Sequence, residues 1–89
     1  IVMNDKGYGI LRNLSDAQFG GRRFYSDLHT PHFGKLAEAY GYRYHHVGSL
    51  DGLAQRLRGI VAARGPATLV EIDMDAIGPF ALPFAGPKI

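Results

Sequence analysis

Cysteine is absent from this chain of 89 residues. That excludes disulfides and thiolate metal sites and fits a reducing compartment, so a cytoplasmic location is expected. Long apolar runs are also missing: none approaches the ~20 residues of a membrane span. No signal-peptide pattern opens the sequence, and no membrane partner is expected. Charge of one sign is scarce. The formal net charge is +2, with Lys and Arg scattered along the chain, which argues against the basic stripe of a nucleic-acid-binding surface. There is no internal repeat and no low-complexity tract. With 46% hydrophobic and 20% charged residues, what remains is an ordinary globular composition. It makes one small domain at most, able to bury only ~60–65% of its unfolded surface.

The pattern along the chain alternates. Ile1 to Met3 reads as the end of a strand, and Tyr8 to Phe19 carries a partial helical stripe of Ile10, Leu11, Leu14 and Gln18, stopped by Gly20-Gly21. Arg22 to His29 reads as a loop. Thr30-Pro31 suits a helix start, with Thr as N-cap and Pro at the first helical position. Phe33, Leu36, Ala37 and Tyr40 then repeat at helical spacing up to Gly41. Tyr42 to Val47 is strand-like. Ser49 is placed to cap a second helix with Leu53, Leu57, Ile60 and Val61 as its apolar face, closed by Gly65-Pro66. Ala67 to Ile72 is nearly continuous in β-formers, as expected of a strand covered on both faces. From Asp75 the chain turns Pro- and Gly-rich and is expected to be irregular, yet its apolar content implies that it lies against something. Strands alternating with helices predict an α/β fold, a parallel sheet of about three strands with flanking helices. Residues 1–73 form the folded part and 74–89 a tail. So small a sheet leaves an unpaired edge, which favours association with another chain, and a homo-oligomer is expected.

The first strand ends in Asn4-Asp5, followed by Lys6-Gly7-Tyr8-Gly9. Parallel strands deliver polar residues to the carboxyl edge of a sheet, where open α/β folds bind ligands. The alternative is turn chemistry alone, since Asn and Asp before Gly are common turn formers. The chain has four histidines. His29 and His32 flank Thr-Pro and have no third metal ligand nearby. His45 and His46 point to opposite faces of a strand, so one of them at most can face a site. Arg22-Arg23 beside Phe24 and Tyr25 could clamp a carboxylate or phosphate, though a solvated loop pair is the commoner arrangement.

These residues carry a family resemblance. The Asn4–Gly9 segment resembles the close of the thiamine-diphosphate/Mg²⁺ binding motif of thiamine-diphosphate-dependent decarboxylases and acetolactate synthases. Two later segments occur in such enzymes in the same order: Asp27-Leu28-His29-Thr30-Pro31-His32-Phe33 with Leu36-Ala37 and Gly41, and Gly65-Pro66 leading into Leu69-Val70-Glu71-Ile72. The resemblance runs to about Asp73. Its opening Gly-Asp-Gly half is not in this sequence, and the chain starts with Ile1 in mid-strand. The expectation is therefore the C-terminal half of a diphosphate-binding domain from a larger enzyme.

The resemblance implies thiamine diphosphate and Mg²⁺ as cofactors. It implies Asp5 and the Gly7 carbonyl as metal ligands, with Asn4, Asp5, Gly7, Tyr8 and Gly9 around the cofactor and the amides opening the next helix near its diphosphate. Leu11 and Leu14 match positions bordering the substrate, although as core residues they would need no such role. The implied substrate is a small-molecule 2-oxo acid, decarboxylated or joined to a second carbonyl, as in acetolactate synthase or benzoylformate decarboxylase. The cofactor supplies the electron sink. The carboxylate that activates it belongs to another domain of a partner subunit, so no catalytic residue is expected in these 89 residues. The competing reading is a non-catalytic α/β module for structure or dimerisation.

Overall fold

A computed structural model describes residues 1–22 and 24–78. In chain order the elements are β1 (Val2–Asn4), α1 (Gly9–Gln18), α2 (Phe33–Ala39), β2 (Arg43–Val47), α3 (Leu53–Ala62), β3 (Thr68–Asp73) and α4 (Met74–Ile77). They divide into two compact units. Residues 1–4 and 31–78 make the sheet unit, and residues 5–22 and 24–30 are the described part of the other.

The sheet is fully parallel, in the order β1-β3-β2. β3 lies in the middle, which is why its sequence runs almost unbroken through β-formers. Val2, Met3 and Asn4 pair with Glu71, Ile72 and Asp73. Arg43 to Val47 pair with Thr68 to Ile72. Side chains alternate across a strand, so Val70 and Ile72 share one face and Glu71 and Asp73 the other. The first face is the core. Val47, Val70 and Ile72 are buried there with Leu53 and Ile60 of α3 and Met74 and Ile77 of α4 packed against them. The opposite face carries Asn4, Tyr44, His46, Glu71 and Asp73, and α2 packs on β2 and β3 with Ala37 fully buried.

The expected alternation of strands and helices is present, with local corrections. The helix after Thr30-Pro31 starts two residues late: its N-cap is His32, whose Nδ1 accepts the Lys35 amide at 3.3 Å. Ser49 does not cap α3. Its hydroxyl accepts the Asp51 amide at 3.1 Å in the preceding turn, and Gly52, in a left-handed conformation, is the N-cap. Met74–Ile77 is a helical turn instead of irregular chain, because the Asp73 carboxylate accepts the Asp75 and Ala76 amides, both at 3.1 Å. The rest of the expected tail, 79–89, lies outside the described residues. In the second unit α1 ends at Gln18, and Gly20 and Gly21 follow with φ of 64° and 83°.

Candidate functional site

In the sheet unit, the polar face is organised around one buried carboxylate. A charged side chain in a central strand must find hydrogen bonds, since desolvation without them is costly. Glu71 finds two, one from each edge strand. Asn4 Nδ2 donates to Oε2 at 2.8 Å, and the Tyr44 hydroxyl donates to Oε1. Burial pushes the Glu71 carboxyl up. The bonds from Tyr44 and Asn4, with His46 nearby, outweigh burial and the adjacent Asp73, so its pKa lies below the ordinary value. Tyr44 responds in the opposite sense. Burial, then the hydrogen bond to Glu71 and the negative charges of Glu71 and Asp73, push its phenol up to about 12. Beside this triad, His46 Nε2 lies 3.5 Å from Asp73 Oδ2.

In the second unit, the segment after Asn4 folds into a tight turn around Asp5. Its Oδ1 accepts the Gly7 amide at 3.4 Å and its Oδ2 the Gly9 amide at 3.2 Å. Both glycines are required by close approach. A Cβ on Gly9 would run into the Asp5 carboxylate, and one on Gly7 into the Ser26 carbonyl. Lys6, between Asp5 and Gly7, has φ of 60°, a strained value for a residue with a side chain. Residues 26–28 brace the turn. The Tyr8 amide donates to the Ser26 carbonyl at 2.7 Å, and the Leu28 amide to the Lys6 carbonyl at 3.0 Å. Gly7 and Asp27 form an isolated antiparallel bridge. Arg12, one helical turn into α1, donates to the Asp5 carbonyl, approaches Asp5 Oδ2 at 3.9 Å and pairs with Asp27 Oδ1 at 3.5 Å.

The sequence-predicted residues fall as follows. Asn4 is buried, 7% exposed, and bonded to Glu71. Asp5, Gly7 and Gly9 make the turn. Tyr8 precedes α1 as its N-cap without a side-chain cap bond and is half-exposed. Leu11 is exposed and Leu14 partly buried on α1. Of the weighed arginine pair, Arg22 donates to the Phe19 carbonyl at 3.3 Å, and Arg23 lies outside the described residues. His32 uses its Nδ1 as a helix cap, and His45 is exposed.

Sequence reasoning missed Glu71, Tyr44, Arg12, Asp27 and Ser26. Glu71 had a signal: a carboxylate inside a run of β-formers has to be satisfied by partners. Arg12 had a weaker one, its place one helical turn after Tyr8.

Among the described residues no group of three or more His, Cys, Asp or Glu could hold a metal ion. Asp5 by itself offers a hard oxygen donor with its side chain 42% exposed. Each oxygen accepts one amide, and a carboxylate has about four acceptor positions, so lone pairs remain for a cation. This fits Mg²⁺, which keeps several waters and is bound through one or two carboxylates plus phosphate oxygens. Among the described residues no helix is long and apolar enough to cross a membrane.

Residues 1–72 match the family model described as thiamine pyrophosphate enzyme, C-terminal TPP binding domain. No curated protein and no solved structure matches the chain. The family match takes in the Asp5 turn, the parallel sheet and the buried Glu71 together, over most of the 89 residues. The chain belongs to the thiamine pyrophosphate enzyme C-terminal TPP-binding domain family.

Proposed function

We propose that the chain is part of a thiamine-diphosphate- and Mg²⁺-dependent enzyme that decarboxylates 2-oxo acids or joins them to a second carbonyl, of the acetolactate synthase or benzoylformate decarboxylase type. The observation that carries this reading is the Asp5 carboxylate, partly exposed and held by the Gly7 and Gly9 amides inside a family-matched segment. Asp5 and the Gly7 carbonyl would hold Mg²⁺, and Tyr8 and Gly9 would complete the cofactor contacts. Leu11 and Leu14 border the substrate's side chain. Thiamine diphosphate, when bound, supplies the electron sink for decarboxylation. The residues of this chain would bind and orient: Asp5 would place one formal negative charge against the cation, and the absence of a Cβ at Gly9 leaves room for that carboxylate. The protein acts as a homo-oligomer in the cytoplasm. Its β1 and β2 are the outer strands of the sheet, and Ile1, Met3 and Val61 are exposed apolar side chains in the same unit, features that favour association.

Calorimetric titration of the full-length protein with thiamine diphosphate, with and without Mg²⁺, tests the reading. Binding is expected only with Mg²⁺, and Asp5→Ala is expected to weaken it by roughly a hundredfold or more, the scale of losing a charge-assisted metal contact. Unchanged binding in Asp5→Ala rejects the site. A protein that dimerises yet binds no cofactor supports the structural-module alternative.

A further inference from the structure

The Asp5 turn carries its own clamp, and the clamp is Arg12. Three contacts converge on this guanidinium, whose side chain is only 19% exposed: the Asp5 carbonyl, the Asp5 carboxylate at 3.9 Å and the Asp27 carboxylate at 3.5 Å. A planar, five-donor cation can serve a carbonyl and two carboxylates together, where an ammonium acts as a single point charge. We propose that Arg12 is a positioning residue for the ligand-binding turn: it ties the Asp5 main chain to Asp27 and thereby holds residues 5–9 against residues 26–28. The proposal rests on the reading of Asp5 as a metal ligand for what the turn is positioned to do.

The backbone of the turn creates the physical need. The turn includes Lys6 at φ 60°, and the segment that braces it is entered through Tyr25 at φ 58°. Two residues with side chains in the left-handed region persist only where surrounding contacts over-determine the backbone. Between 5 and 30 no described apolar residue is buried. Among the described residues the holding contacts are polar: the Tyr8 and Leu28 amide bonds across the two segments, and Arg12 bridging Asp5 to Asp27. Arg12 also leaves the Asp5 carboxylate partly exposed, because its hydrogen bond goes to the Asp5 carbonyl while the carboxylate is approached at a longer distance. It orders the ligand without occupying it.

Hydrogen exchange on the full-length protein, read at individual amides, tests the clamp without needing activity. Arg12→Gln is expected to speed exchange at the Tyr8 and Leu28 amides at least about tenfold, as loss of charge-assisted bonds would, while Val70 and Ile72 stay protected. Arg12→Lys is expected not to restore slow exchange. Asp27→Asn, which keeps the bond to the Asp5 carbonyl, is expected to give a smaller acceleration at the same two amides and serves if Arg12→Gln fails to fold. Unchanged exchange at Tyr8 and Leu28, or equal acceleration at Val70 and Ile72, overturns the proposal. In a parallel titration with Mg²⁺ and thiamine diphosphate, Arg12→Gln is expected to lower affinity about tenfold. A wild-type protein that binds while Arg12→Gln binds equally well also overturns it. A wild-type protein that binds nothing rejects the cofactor reading instead, and the exchange result still decides the clamp.

Discussion

In the sheet unit Val47, Val70 and Ile72 are buried together, with Leu53, Ile60, Met74 and Ile77 packed against them. Between residues 5 and 30 the one buried residue among those described is Ser26, and its hydroxyl has no hydrogen-bond partner among them. Among the described residues that second region is held by amides on the Asp5 carboxylate, by main-chain bonds between two segments and by Arg12. The two ways of holding a backbone fail differently. Apolar burial is non-directional and tolerates small shifts. Polar ties depend on geometry, so a displacement of a few tenths of an ångström weakens several at once. Polar ties of this kind hold the Asp5 carboxylate while leaving it partly exposed.

The largest effect is expected in the apolar core. Val70 is 3% exposed at the centre of β3. Val70→Asp places an unpaired charge there and is expected to destabilise by about 4 kcal/mol or more, which for so small a domain abolishes a cooperative denaturation transition. A retained transition with a near wild-type midpoint would contradict the assigned core.

A second substitution tests the polar region. Gly7→Ala drives a Cβ into the Ser26 carbonyl, which is main chain and cannot swing aside. The expected cost is about 2 kcal/mol, in the range of overpacking, and it should be local: faster exchange at the Tyr8 and Leu28 amides with little change at Val70. Exchange that rises everywhere would mean that the two regions are not distinct in stability.

The smallest effect is a pH dependence confined to the sheet's polar face. Tyr44 has its pKa raised to about 12. The folded state therefore keeps the phenol proton longer, and the stabilisation is complete below the unfolded value near ~10 and is lost as pH rises towards 12. Glu71 has the opposite sign. Its folded pKa is lowered, so its contribution is present above the unfolded value near ~4.3 and disappears as pH falls through the folded one. Denaturation midpoints measured across pH should show both losses in the wild type. Tyr44→Phe should remove the alkaline one, and a Tyr44→Phe profile identical to wild type above pH ~10 would show that the hydroxyl bond to Glu71 is not formed.

Much of the fold was readable one residue after another. The parallel sheet follows from strands alternating with helices, and the central place of β3 follows from Ala67 to Ile72 having almost no polar interruption. The helix starts were read less well, because capping depends on the direction a side chain takes. Thr30 and Ser49 have the right chemistry, yet His32 and Gly52 hold the N-cap positions. Met74–Ile77 was unreadable for a related reason: a single helical turn has no periodicity, and this one exists through the Asp73 carboxylate and the packing of Met74 and Ile77 on the core.

Neighbouring residues alone set the local elements of this protein. A polar Asn4-Asp5 pair closes the first strand, glycines follow where the chain must pass close to itself, and the family pattern is legible because it is written in contiguous residues. Which distant residues complete each cluster depends on the folded register. Asn4 meets Glu71 across 67 positions and Tyr44 meets it across 27, because the parallel register brings both edge strands to one carboxylate. Arg12 and Asp27 meet over Asp5 because the turn is bridged by residues 26–28. Hydrogen bonds have short range and strict direction, so partners separated in sequence become partners only once the backbone has fixed their distance and angle.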